Sequence, residues 1–332
     1  MLQFQNKKIA KNDWDKFLQT NPYASPLQSF DFLEFINKTK NYEAISFSCS
    51  ESNQLKAICL VTIVKESGLK GFFSRRAIIY GGPLLSDHTE INTQLLKYVV
   101  KELKNKVIYI EIRNFFDYSN QISTFTKTNW DFVPYLNVQL VLKDATSEQI
   151  LSGMNSTRRR QIKQSLKEGA SYCEASTEEE IKQLYEILKD LYNTRVKLPL
   201  PDLDYFINLF NSPVGKVFIV KHNNLLVGGA FCMYYENQSI YSLYYCGLRD
   251  YDKRVYPTHL ALLGAIEFGI NNKLKSIDFM GAGKPGEEYG VRVYKQGFGG
   301  ELVEHGRFLK ITKPFLFNLG KFALNQLKRF KK

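Results

Sequence analysis

Asp278-Phe279-Met280-Gly281-Ala282-Gly283-Lys284-Pro285-Gly286, continued by Tyr289-Gly290-Val291-Arg292-Val293-Tyr294-Lys295-Gln296-Gly297-Phe298-Gly299-Gly300 and Gly306-Arg307, is the part of this chain that decides its fold. The segment Ile277–Met280 is short and apolar, which predicts a strand. The run that follows is too rich in glycine to be regular. Glycines let backbone approach a ligand closely and leave amide groups free to face an anion. The run lacks the phosphate-loop spacing and has no Ser or Thr after Lys284, so a P-loop nucleotidase is excluded. Arg292 and Lys295 place two cations behind this loop, with Tyr289 and Tyr294 beside them. Such a set suits a phosphate or a developing oxyanion. The same pattern also fits a surface loop with solvated charges.

Working outward, the order of elements around this strand occurs twice. In the second half, Lys216–Lys221 and Leu225–Tyr235 read as strands joined at Asn223-Asn224, a tight-turn pair. Ser239–Cys246 is the next strand. A helix opening at Pro257 follows, with Leu260, Leu263, Ile266 and Ile270 on one stripe. Ser276–Met280 and a strand within Glu301–Ile311 complete the set. In the first half, Glu43–Ser48 and Leu55–Lys65 flank the polar turn Ser50–Asn53. Ala77–Tyr80, a helix over Glu90–Lys104, Val107–Arg113 and Val138–Leu142 come next. Two copies of one α/β unit are expected, with residues 1–150 as the first domain and 151–332 as the second.

Between the halves, Thr146-Ser147 precede a short helix. A second helix runs from Asn155-Ser156 to Glu168, stopped by Gly169. A third spans Thr177–Arg195, with Thr177 and Glu180 in capping-box spacing. The end of the chain is basic and amphipathic: Phe315, Leu316, Leu319, Phe322, Leu327 and Phe330 alternate with Lys313, Lys321, Lys328, Arg329, Lys331 and Lys332. It reads either as a final helix packed on the core with a solvated tail, or as a helix lying on an anionic membrane surface.

The chain has 332 residues, a net charge of +12 and 44% hydrophobic residues. That charge favours polyanionic partners without choosing among nucleic acid, membrane and phosphate-bearing substrates. No apolar run is long enough to span a bilayer, and the N-terminus lacks a signal-peptide pattern. A cytoplasmic protein is expected, with the inner face of the cell membrane in reach of its basic tail. Five cysteines without a Cys-x-x-Cys pair argue against a disulfide framework or a zinc site. No metal and no cofactor is expected.

The Asp278–Arg307 stretch resembles the C-terminal signature of the Fem family, the peptidoglycan interpeptide-bridge aminoacyltransferases. Pro26-Leu27-Gln28-Ser29-Phe30-Asp31-Phe32 resembles the family's N-terminal motif. Thr157-Arg158-Arg159-Arg160-Gln161-Ile162-Lys163 resembles its mid-chain basic helix, and Tyr256-Pro257 its second-half helix start. The resemblance implies two GNAT-like domains in tandem (an α/β, or α+β, chain), each a mixed, mostly antiparallel sheet flanked by helices. It implies transfer of an aminoacyl group from aminoacyl-tRNA to an amine on a phosphate-linked or lipid-linked muropeptide. The family's coiled-coil arm is missing, because only Gly169–Ser176 separates the two mid-chain helices.

Acyl transfer needs donors at a tetrahedral oxyanion. The family's aromatic-Lys pair matches Tyr294-Lys295, which makes Lys295 the first catalytic candidate. Asp278 or Asp31 could assist proton removal. Gln28, Arg75, Arg76, Arg158, Arg159, Tyr256, Gly281, Tyr289, Arg292 and Tyr294 complete the candidate set, the arginines as phosphate contacts. A CoA-dependent acetyltransferase needs a Gly-containing pyrophosphate turn before its helix. Lys253-Arg254-Val255-Tyr256-Pro257-Thr258 stands there without glycine, which disfavours CoA. Two other readings stay open: an N-acyltransferase using acyl-CoA or acyl carrier protein, and a non-catalytic RNA- or membrane-binding module.

Overall fold

The computed structural model describes residues 2–6, 9–65 and 75–329, the last seven of these as backbone only. Two compact units form: Met1–Pro134 with His305–Lys332, and Tyr135–Glu304. Among the described residues fourteen strands make two seven-stranded sheets. They are β1 (Leu2–Gln5), β2 (Tyr42–Glu51), β3 (Gln54–Val64), β4 (Arg76–Gly81), β5 (Tyr109–Asn114), β6 (Asp131–Val133) and β7 (Asn137–Val141), then β8 (Ser171–Glu174), β9 (Gly215–His222), β10 (Leu225–Tyr234), β11 (Ser239–Gly247), β12 (Ser276–Gly281), β13 (Glu301–Val303) and β14 (Arg307–Ile311).

The first sheet is ordered β1-β2-β3-β4-β5-β14-β6 and the second β8-β9-β10-β11-β12-β7-β13. Position by position the two orders correspond. In each sheet one pair is parallel, β4 with β5 and β11 with β12, and the remaining pairs are antiparallel. This is the duplicated mixed-sheet architecture that the repeat predicts. A helix supplies each parallel crossover, Thr89–Leu103 in the first unit and Pro257–Asn271 in the second.

The hairpins repeat as well. Glu51 pairs with Gln54 and His222 with Leu225, so each loop has two residues. Ser52 and Asn53 have φ of 48° and 62°, and Asn223 and Asn224 51° and 61°. Two successive left-handed residues form the tight turn whose twist matches a β-hairpin, and asparagine tolerates that backbone.

One feature differs from the sequence expectation. A domain change near residue 150 leaves β7 in the first domain and β14 in the second. Instead, β7 lies between β12 and β13, and β14 lies between β5 and β6. Each unit takes its sixth strand from the other half of the chain. Hydrophobic pattern marks Val138–Leu142 as a strand, but pairing partners are chosen by side-chain packing across the sheet, which a linear pattern does not carry.

The mid-chain helices start and stop on the cues present in the chain. Asn155 caps Ser156–Lys167 by accepting from the Arg158 N–H, and Gly169 follows at φ 89°. Thr177 and Glu180 close a capping box on Glu178–Leu191. That helix is shorter than expected: Tyr192–Val196 forms a π turn, and Lys197 leaves it left-handed at φ 53°. Only β8 separates the two helices, so no arm is present. The Pro257–Asn271 helix is buried nearly all round, including Ala261, Leu262, Gly264 and Ala265, not on one stripe alone. It packs against β8 to β12 and the Ser156–Lys167 helix, so its polar face has no solvent to meet.

After β14 the chain ends in the helix Pro314–Arg329, which belongs to the first unit. Phe317 packs edge-on against Tyr109, with ring centres 5.4 Å apart. Phe330, Lys331 and Lys332, included in the basic segment above, lie outside the described residues. No helix among the described residues is long and apolar enough to cross a membrane.

Candidate active site in the second unit

The site begins with a difference between the two sheets. In the first, β4 and β5 stay paired over six residues, Arg76↔Tyr109 to Gly81↔Asn114. In the second, β11 and β12 pair only at Ser239↔Ser276, Ile240↔Ile277 and Tyr241↔Asp278. Both strands continue but part company there. β11 carries a bulge opposite Phe231 and Cys232, and β12 carries another between Asp278 and Gly281. Bulges add local twist and break a ladder, so they open a wedge between two strands that started side by side. Beyond Tyr241 no strand of the described residues pairs with β11 on that side.

Asp278 fixes the β12 side of the wedge. Its side chain is buried, and one oxygen accepts from the Met280 N–H at 2.6 Å. The other accepts from Asn137 Nδ2 at 3.2 Å and Gln139 Nε2 at 3.0 Å, both on β7. Burial pushes its carboxyl up, and those three donors and Lys295 pull it back. The turn forces Met280 into the left-handed region at φ 64°, strained for a side chain of that size.

The strained turn aims two carbonyls at one lysine. Lys295, on the helix Gly290–Gln296, is buried. Its Nζ donates to the Gly281 carbonyl at 2.8 Å and the Met280 carbonyl at 3.4 Å. An ammonium has three N–H donors, so one is left over among the described contacts. Burial pulls Lys295 down to about 8, against the upward influence of Asp278. Loss of water disfavours the charged form and the nearby carboxylate restores part of it.

Tyrosines line the other side. Tyr245 of β11 stacks on Tyr294, with centres 5.6 Å apart and 15° between planes. Burial pushes Tyr294 up to about 12, and Tyr192, close enough to feel the Tyr289 hydroxyl, also to about 12. All stay protonated at neutral pH and offer hydroxyls.

Beneath them lies a buried cation. The Arg158 guanidinium sits 4.2 Å from the Tyr294 ring centre and 4.5 Å from that of Phe298. It donates to the Tyr294 carbonyl at 3.1 Å and contacts His259 Nε2. His259 Nε2 also lies 3.0 Å from Gln161 Oε1, and Nδ1 lies 3.3 Å from each of the Thr258 and Tyr294 hydroxyls. Burial, then the Arg158 charge, hold His259 down to about 3, so it is neutral.

The other residues singled out in the sequence fall as follows. Gly281 is the carbonyl partner of Lys295, and a Cβ on it would sit 3.0 Å from the Tyr135 ring. Arg292 donates to the carbonyls of Ala282 and Lys284, bracing the Gly-rich loop. Tyr289 precedes the Lys295 helix and lies against Gly283. Tyr256 precedes the Pro257 helix and gives its N–H to Ser165 Oγ at 2.9 Å. Arg159 donates to the Ser152 carbonyl at 2.8 Å. With Arg160, Lys163 and Lys167 it also lines a shallow groove along the Ser156–Lys167 helix.

Four candidates belong to the first unit. Asp31 pairs with Lys11. Arg75 is exposed, and Arg76 is half-buried in register with Tyr109. Gln28 is buried and serves the fold: Nε2 donates to the Gly82 carbonyl at 2.6 Å, and Oε1 accepts from Ser25 at 2.7 Å. Gln28→Ala leaves buried groups without partners, so chemical denaturation should show a loss of about 2 kcal/mol.

Sequence reasoning missed Asn137, Gln139, Tyr245 and His259. The first two sit on the exchanged strand, and no local pattern marks them as neighbours of Asp278. His259 and Tyr245 look like ordinary core and strand residues in their own segments.

The chain matches the family model of an acetyltransferase (GNAT) domain over residues 156–296, the part that carries the wedge. Among solved structures it is similar to FemX at 15% identity and a TM-score of 0.74, over 95% of this chain and 99% of that one. It is similar to L-PGS from Bacillus licheniformis at 12% identity and 0.58, over 95% and 98%. It is also similar to a tandem GNAT protein from the clavulanic acid biosynthesis pathway at 9% and 0.56, over 94% and 99%. No curated protein matches the chain. At these identities the likeness is one of fold: a GNAT-type acyltransferase architecture with two units in tandem.

Proposed function

We propose that the protein is an aminoacyltransferase of the Fem type, moving an aminoacyl group from aminoacyl-tRNA to an amine of a peptidoglycan precursor. The observation that carries this reading is the wedge between β11 and β12, with buried Lys295 at its mouth. The acyl ester lies in the wedge and the acceptor amine attacks its carbonyl carbon. The tetrahedral oxyanion takes a hydrogen bond from the remaining Lys295 N–H. The C–O bond to the tRNA ribose then breaks and the amine proton leaves with that oxygen or through a water. Asp278 has its oxygens engaged by three donors, so its part is to hold the Met280 turn rather than to take the proton.

The helix after β11 favours an RNA donor over CoA. A pyrophosphate would need free amides at its N-terminus. Pro257 has no N–H, Tyr256 spends its own on Ser165, and His259 spends its own on the Tyr256 carbonyl. Arg254 is paired with Asp252 and Glu168. The groove of Arg159, Arg160, Lys163 and Lys167 suits a nucleic-acid backbone. The acceptor, a phosphate-linked or lipid-linked muropeptide, follows from the sequence resemblance. The test is transfer of radiolabelled amino acid from charged tRNA to muropeptide acceptors. Transfer that disappears with Lys295→Ala supports the reading; label moving only from acyl thioesters overturns the donor assignment.

A further inference from the structure

We propose that the C-terminal helix Pro314–Arg329 docks the protein on an anionic lipid surface. Its two sides are unlike in surroundings but not in character. Leu316, Phe317 and Gly320 are half-buried, with Phe317 against Tyr109. On the other side, Phe315 is 78% exposed, Leu319 43% and Phe322 61%. Spaced i, i+4 and i+7, these three lie within an arc of about 60° along the helix. A helix that only closes a core turns polar residues outward; this one turns out two phenylalanines and a leucine.

The charge of this C-terminal segment selects the occupant. Residues 313–332 contain Lys313, Lys321, Lys328, Arg329, Lys331 and Lys332 and no acidic residue. Lys321 is exposed immediately before Phe322. One apolar signal gives only weak membrane attachment, and cations beside it add attraction to a negative leaflet. Here both signals belong to one C-terminal segment of a chain with net charge +12. Large aromatics at the water–acyl boundary with lysines reaching back to headgroups match anionic lipid. A nucleic-acid backbone has no use for the exposed phenylalanines. This inference stands on the helix alone and is independent of the acyl-transfer reading.

The full chain is sedimented with vesicles of phosphatidylcholine alone and of phosphatidylcholine with phosphatidylglycerol. The expected result is binding to the anionic vesicles only, weakened by salt. The triple variant Phe315→Ser, Leu319→Ser, Phe322→Ser should keep its melting temperature and lower the partition coefficient on the order of a hundredfold. Sedimentation velocity of both proteins covers the competing occupant, a second copy of the chain. No binding to anionic vesicles, or equal binding by the triple variant, overturns the proposal. So does a wild-type dimer that ignores vesicles and is dissolved by the same substitutions.

Discussion

Lys295→Ala should lower kcat for acyl transfer by roughly two to three orders of magnitude while leaving KM for the acceptor little changed. A donor fixed in advance at a developing oxyanion acts mainly in the transition state, and removing one typically costs that much. The geometry explains why no neighbour substitutes: Lys295 is held by the Gly281 and Met280 carbonyls, which only the strained turn presents. The lysine also sets a pH dependence. Its value of about 8 lies below the ordinary 10.5. The charged form is the donor, so activity should fall as pH rises through about 8. The residual activity of Lys295→Ala should lack that limb. Stability moves the other way. Between the folded and unfolded values the unfolded chain holds the extra proton, so this group favours folding increasingly as pH rises across that window. A pH–rate profile beside a pH–stability profile reads both signs.

Asp278→Ala should be the most destabilising single change at the site, by about 3–5 kcal/mol in chemical denaturation. It removes the acceptor for three donors, the buried Asn137 amide and the part-buried Gln139 amide and Met280 N–H. It also releases the turn that holds Met280 left-handed and takes away the carboxylate that keeps Lys295 charged. The activity limb near pH 8 should therefore move to lower pH in any Asp278 variant that still folds. Asp278→Asn separates the two effects. It keeps an acceptor for one donor, so its stability loss should be smaller, about 1–2 kcal/mol, while the charge is lost entirely. If Asp278→Asn leaves the pH limb where it was, the electrostatic link to Lys295 is wrong.

Much of this site is legible in the chain because its elements are local. The glycines of 281–286 and the Tyr294-Lys295 pair announce a loop and a helix behind one strand. The tight hairpins at Ser52-Asn53 and Asn223-Asn224 follow from residues that tolerate a left-handed backbone. What these residues do is less legible. Arg158 and Arg292 look like phosphate ligands in a list of charges. Folded, Arg158 is stacked between aromatic rings and Arg292 braces loop carbonyls. An arginine's partners are set by whatever comes within reach of a long side chain, and sequence spacing does not record that.

The repeated strand and helix order, the turns, the caps and the Gly-rich loop after β12 can be read from the residues alone. These depend on propensity and on contacts a few residues apart. That β7 and β14 change places between the sheets, that β11 and β12 part after Tyr241 and Asp278, and that Asn137 and Gln139 hold Asp278 emerges on folding. Each of these joins residues far apart in the chain, and sheet packing, not local conformation, chooses between such pairings.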